Sequence, residues 1–401
     1  MKKFLSGSLS LFLVVVLIAS LATAFLSGCG PKPTEPTDPS TPPTSEPEPI
    51  KFCFLAHVSG DGAVWGQAES NGGLLAVEEI NEAGGVLGRP LELILADGRG
   101  NATDAVNAVK KVLSEHEVVA ILGSNYSGVN LATGPVAAEA KIPQVSSFAT
   151  NPAITINDDG TVKPWSFRLC FIDPYQGKVL AHFANMELEK TTAAVLYNIS
   201  DDYSMGLTEA FIEEFEKLGG EIVGKWAFKD GDVDFRPQLS EVKAKDPEVL
   251  LLPIYYKEIA LIAKQARELG MADVIFMGGD GSSVKMLEMA GPELQDSYWV
   301  THMFLDDPPV AAVNEKYTAR FGASPEYGNF TMGYDMVYFL KDAIERAGKA
   351  EGQAIRDEME SAKDVPLAHA SITHNPLNKS AVIIRAEGME FKLYLKFAPS
   401  D

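Results

Sequence analysis

The sequence predicts an α/β protein built on parallel sheets covered by helices. Three observations carry that expectation. From Ile50 onward, short apolar runs alternate with longer amphipathic segments, the pattern of strands leading into helices. The chain of 401 residues exceeds one ordinary core, so two domains with an appendage are expected. Its composition, 46% hydrophobic and 22% charged, is that of a folded soluble body.

Taken in order, Lys51–Ala56, Leu91–Ala96, Val118–Leu122, Ala193–Tyr197, Val249–Leu252 and Val274–Met277 read as strands. Gly66–Ala83, Ala105–Ser114, Ala132–Ala140, Gly177–Leu188, Leu207–Leu218 and Glu258–Leu269 carry helical spacing. In the first helix Leu74, Leu75, Val77 and Ile80 line one face, and Gly84-Gly85 supplies the stop. Ligands on such sheets bind at the carboxyl ends of strands, so the loops entering the helices are where the chemistry is expected.

The N-terminus precedes this body. Lys2 and Lys3 are followed by an apolar run from Leu9 to Leu26 and then Leu26-Ser27-Gly28-Cys29. A basic start, an apolar middle and small residues before a break form a secretory signal. A membrane anchor is the competing reading, since about 18 apolar residues nearly span a bilayer. Ser10, Ser20 and Thr23 interrupt the run, which favours the signal. The four-residue ending resembles a bacterial lipobox, and that resemblance makes Cys29 the lipid-bearing first residue of the mature protein. Residues 1–28 are then the signal and 29–49 a tether. Pro31 to Pro49 is almost wholly Pro, Thr, Ser, Glu and Asp, a composition without an apolar face to bury.

Charge and motif content exclude several classes. With 55 acidic against 34 basic residues, the formal charge of -21 argues against nucleic acid. Three cysteines make neither a disulfide framework nor a cysteine-rich zinc site, and six scattered histidines do not suggest a metal cluster. No P-loop and no Gly-x-Ser-x-Gly elbow occurs. Gly98-Arg99-Gly100 lacks the third glycine of a dinucleotide turn, and His116-Glu117 has no second histidine at metalloprotease spacing. No cofactor, metal or catalytic activity is expected. Cys53 and Cys170 fall in apolar stretches and read as buried thiols, with a mutual disulfide as the lesser alternative.

Several loop segments together resemble the extracytoplasmic solute-binding proteins of branched-chain amino acid ABC transporters, the leucine/isoleucine/valine-binding family. They are Ser59-Gly-Asp-Gly-Ala-Val-Trp65-Gly, Ala76-Val-Glu-Glu-Ile-Asn-Glu-Ala-Gly-Gly-Val-Leu-Gly88 and Ser147-Phe-Ala-Thr-Asn-Pro152. Further on come Asp234-Phe235, Gln265-Ala-Arg-Glu-Leu-Gly270 and Phe276-Met-Gly-Gly-Asp-Gly281. Each is weak alone; their common order over about Ile50 to Phe397 makes the resemblance specific. It implies the type I periplasmic-binding fold, two Rossmann-like lobes with three crossover connections and a ligand cleft between them. Lobe one would be 50–169 plus 302–373, and lobe two 170–301 plus 374–401.

The resemblance also assigns roles. Ser127 would meet the ligand carboxylate at the start of a helix, a seat for anions, although a serine there also reads as a plain N-cap. Thr150, Ala149 and the backbone of Phe148 would bond the zwitterion, in a segment that otherwise reads as a polar turn. Asp280, between Gly279 and Gly281, would pair with the α-ammonium group; an Asx turn is its ordinary alternative. Tyr203 and Tyr255 would close over the ligand. Trp65 stands where the family often has tyrosine, and Tyr126 and Phe148 where smaller residues are frequent. Those rings leave branched aliphatic and aromatic side chains as the two candidate ligand classes.

The implied function is capture of an amino acid and its delivery to ABC permease and ATPase subunits, by a monomer held to the membrane through lipid on Cys29. A sensor of an amino acid, amide or urea-type solute is the alternative. No recognisable signalling domain follows the body through Asp401, so transport is expected. An extracytoplasmic hydrolase would need a pair such as Asp280 with His57.

Overall fold

The computed structural model describes residues 47–60, 62–324, 328–363, 365–368, 379 and 381–397. Cys29, the signal and most of the tether therefore lie outside the described residues. Two sheets organise the body from Pro47 onward.

The first sheet begins with β1 (Ile50–Ala56), which leads into α1 (Ala63–Glu82). β2 (Leu91–Asp97) leads into α2 (Ala102–Glu115), and β3 (Val118–Leu122) into α3 (Ser127–Ala140). β4 (Gln144–Ser146) and β5 (Ser166–Arg168) complete it in the order β2-β1-β3-β4-β5, every pair parallel. β1 shows why its sequence is apolar throughout. Phe52 and Phe54 belong to the core on one face, while Cys53 and Leu55 pack with Val109, Val112 and Val129 on the other. A strand covered on both faces cannot alternate with polar residues. The stop of α1 is as expected: Gly84 and Gly85 take φ of 103° and 76°, and their N–H groups donate to Asn81 and Ile80 carbonyls.

The chain then enters the second sheet. α4 (Asp173–His182) continues into a wider π-turn over Phe183–Glu187, so the helix expected over Gly177–Leu188 starts earlier and changes its winding. β6 (Thr192–Asn198), α5 (Asp202–Lys217), β7 (Glu221–Phe228) and α6 (Arg236–Lys245) follow. β8 (Val249–Leu251), α7 (Tyr256–Glu268), β9 (Ile275–Gly278), α8 (Val284–Ala290) and β10 (Tyr298–Thr301) come next. α9 (Pro308–Phe321), α10 (Asn329–Ala347) and α11 (Gly352–Ser361) return to pack on α1 and β3. β11 (Ala381–Glu387) and β12 (Glu390–Phe397) rejoin the second sheet, ordered β12-β11-β10-β9-β8-β6-β7. β11 runs antiparallel to both β10 and β12, a departure from the wholly parallel expectation, and antiparallel strands at the margin of an otherwise parallel sheet are common.

Three of the resemblance motifs meet here. Gln265 accepts the Phe235 N–H at 2.6 Å, and Arg267 lies 4.4 Å from the Phe276 ring centre. They tie α7 to the loop before α6 and to β9. Cys53 and Cys170 are free and buried, with burial pushing both thiols up to about 12. The disulfide alternative is not realised.

Candidate functional site

The carboxyl ends of strands from both sheets converge on one small cavity. From the first sheet come Trp65 on α1, Asn125 and Tyr126 after β3, Ser127 opening α3, and Phe148 after β4. From the second come Tyr203 on α5, Tyr255 after β8, and Asp280, Gly281 and Ser282 after β9, with Thr301 ending β10. Asn329 of α10 completes the wall. The cavity measures about 30 Å³, room for little more than a pair of waters. Admitting a larger solute requires the rings to part.

Those rings form a continuous cluster. Tyr126 and Tyr255 stack with centres 4.6 Å apart, Tyr203 stacks on Tyr255 at 5.4 Å, and Trp65 meets Tyr256 edge-on at 5.2 Å. Tyr126 and Tyr255 also line a second cavity of about 350 Å³, so their stack borders both spaces.

Asp280 anchors the opposite end. His302 Nε2 lies 3.0 Å from Asp280 Oδ2, with the two side chains only 2% and 8% exposed. Oδ1 of the same carboxylate is buried and has no hydrogen-bond partner among the described residues. The Asp280 N–H donates to Gln176 Oε1 at 2.7 Å, and the Gly281 N–H donates to the Tyr203 hydroxyl at 3.2 Å. The flanking glycines serve this packing. A Cβ at Gly279 would sit 2.1 Å from Gln176 Oε1, and one at Gly281 would sit 2.4 Å from the Ile254 carbonyl. Side chains there would break the loop that aims Asp280.

Electrostatics keep the phenols protonated. Burial, and then the nearby Asp280 and Asp173 charges, hold Tyr203 well above its ordinary value; burial also raises Tyr255. Both remain hydroxyl donors. Asp173, fully buried beside the Thr150 hydroxyl, is likewise pushed upward by desolvation.

Seven of the expected binding residues line the cavity: Trp65, Tyr126, Ser127, Phe148, Tyr203, Tyr255 and Asp280. Ala149 and Thr150 sit behind that wall, both buried. The Ala149 carbonyl is taken by Arg168 Nη1 at 3.0 Å and Cys170 Sγ at 3.2 Å, and the Thr150 carbonyl by the Asp173 N–H at 3.0 Å. Ser127 is not an N-cap: Tyr126 holds that position, and the Ser127 hydroxyl accepts the Asn151 N–H at 3.3 Å. The imagined Asp280–His57 pair does not form. His57 Nδ1 accepts the Gly100 N–H at 3.0 Å, and burial lowers the ring to about 4, leaving it neutral. Sequence reasoning missed His302, Gln176 and Asn329, which only the fold brings to this site, and Asn125, which carries no motif although it adjoins Tyr126. Among the described residues, no group of three acidic, histidine or cysteine side chains is placed to hold a metal ion.

A two-sheet α/β body with its site at converging strand ends defines a type I periplasmic-binding fold. The profile of the periplasmic binding protein family matches residues 49–381, and the chain belongs to that family. It is similar to the leucine-binding protein LivK of Thermotoga maritima (31% identity, TM-score 0.80, 87% of this chain and 99% of that one). It also resembles the branched-chain amino acid transporter substrate-binding protein LivJ of Streptococcus pneumoniae, solved with isoleucine (26%, TM-score 0.78, 88% and 99%). A Leu/Ile/Val-binding protein of Rhizobium johnstonii is 28% identical over 81% of this chain and 87% of its own length. These relatives are solute-binding proteins and not enzymes.

Proposed function

We propose that this protein captures an amino acid between two lobes outside the cytoplasm and delivers it to an ABC permease and its ATPase. The lobes are 50–169 plus 302–373 and 170–301 plus 374–401, and the separate sheets support that division. One observation carries the ligand class: a single cavity wall holds both a cation seat and an anion seat. Asp280 offers a buried carboxylate oxygen without a hydrogen-bond partner among the described residues, and Ser127 opens α3, whose first amides have no intrahelical acceptor. A zwitterion matches that pair. The LivJ complex with isoleucine and the names of the other relatives support a branched aliphatic side chain. The ring cluster of Trp65, Tyr126 and Tyr255 supports aromatic amino acids as the second class.

Asp280→Ala tests the reading. Loss of the carboxylate leaves a bound ammonium group buried and unpaired, at a cost of about 2–5 kcal/mol of binding. Unchanged affinity by titration calorimetry would move the ammonium site elsewhere. In this reading the protein works as a monomer, tethered through lipid on Cys29. The lipobox ending and the polar tether support the anchor.

A further inference from the structure

We infer that His302 is a positioning residue for ligand recognition: it binds one oxygen of Asp280 and thereby presents the other to a primary ammonium group. The inference rests on the ammonium reading of Asp280 and adds the residue that makes the seat selective.

The geometry is specific. His302 follows β10, and its Nε2 meets Asp280 Oδ2 at 3.0 Å across 22 residues of chain. The imidazole is fixed between two rings, with Phe171 at 3.7 Å and Phe148 at 4.8 Å between centres. A ring so held cannot follow a moving carboxylate, so the carboxylate is held by the ring. An ionised Asp280 only accepts, so the contact requires the Nε2–H tautomer as donor. Oδ1 is then the oxygen with no partner among the described residues. Without the imidazole the carboxylate keeps only the neighbouring Tyr203 hydroxyl, which also accepts the Gly281 N–H, and loses the contact that fixes Oδ2. Preorganisation of an acceptor in a closed site discriminates chiefly against ligands lacking the donor.

Titration calorimetry with L-leucine, L-isoleucine and L-phenylalanine, and with the α-hydroxy acid matching the tightest binder, tests this. In the wild-type protein the amino acid outbinds its hydroxy counterpart. His302→Phe keeps a ring between Phe148 and Phe171 but removes the donor; it is expected to cut amino acid affinity at least about tenfold and to shrink the preference for the amine by a similar factor. His302→Gln restores an N–H at nearly the same reach and is expected to recover most of that preference. A His302→Phe protein that keeps the full amine preference, or a His302→Gln protein no better than it, overturns the inference.

Asp280→Asn separates the two levels. If it too keeps the amine preference, or if no wild-type amino acid binding is detected, the ammonium reading itself fails. If Asp280→Asn loses the preference while His302→Phe keeps it, only the role of His302 falls. Should His302→Phe not fold, nitrogen-labelled histidine NMR of the wild-type protein decides. An Nε2-protonated ring is expected, and an Nδ1-protonated one would contradict the inference.

Discussion

The phenol rings of Tyr126 and Tyr255 lie 4.6 Å apart and within 15° of parallel, one entering α3 of the first sheet and the other entering α7 of the second. This stack borders both cavities. Such ring pairs contribute about 0.5–1.5 kcal/mol beyond the area they bury.

Tyr126→Ala should therefore merge the two spaces. Leucine affinity is expected to fall about tenfold, and tryptophan to gain relative to leucine, because the side-chain pocket then extends into the second cavity. Competition of both amino acids for one site measures the ratio. A parallel drop for both would show that the stack does not limit ligand size.

Ser127→Ala addresses the anion end. Losing a hydroxyl donor to a carboxylate costs about 1.5–3 kcal/mol, and to a neutral oxygen about 0.5–1.5 kcal/mol. The loss is expected to be larger for leucine than for leucinamide, whose amide oxygen is a neutral acceptor. Equal losses for the two would place the carboxylate away from α3.

Glu69 gives a pH prediction independent of ligand. It is fully buried on α1 beside the Ser147 hydroxyl, and burial raises its carboxyl to about 8 from an ordinary 4.5. Below about 4.5 the group is neutral in both folded and unfolded chains. Between about 4.5 and 8 the unfolded chain releases the proton and the folded chain keeps it, so stability falls as pH rises. Asp201, raised to about 7, slopes the same way, so the comparison must be with Glu69→Gln. Urea unfolding should show the Gln variant gaining on the wild type from pH 5 to 8. A difference that does not vary with pH would contradict the assignment.

Intact mass of the protein recovered from its native membrane tests the tether. Processing before Cys29 with a diacylglycerol on its sulfur is expected, and Cys29→Ser should abolish the addition. An unmodified mature chain would remove the anchor from the account.

Much of this architecture was legible in the sequence, for reasons that differ by element. β1, β3 and α1 were readable because their apolar residues are long runs or a clear helical face. β4 and β5 were not, since their three residues mix polar with apolar side chains, unlike the equally short but wholly apolar β8. α10 hid for the opposite reason. It is buried on most sides, so Phe330, Met332, Met336 and Phe339 blur the polar face that marks a surface helix. In the site, Asp280 and Ser127 stood at loops after strands and drew attention. His302 stood in no motif, and its meaning comes wholly from the 3.0 Å contact that folding creates. Ala149 and Thr150 show the reverse. Their carbonyls are taken by Arg168 and Asp173, a pairing the sequence does not show, while the buried Thr150 hydroxyl has no hydrogen-bond partner among the described residues.

The central claim is capture of a free amino acid, and titration calorimetry of the wild-type protein against the twenty amino acids tests it most directly. Saturable one-to-one binding of leucine, isoleucine or valine, or of an aromatic amino acid, is the predicted result. No heat from any of the twenty, with the protein shown to be folded, would contradict it.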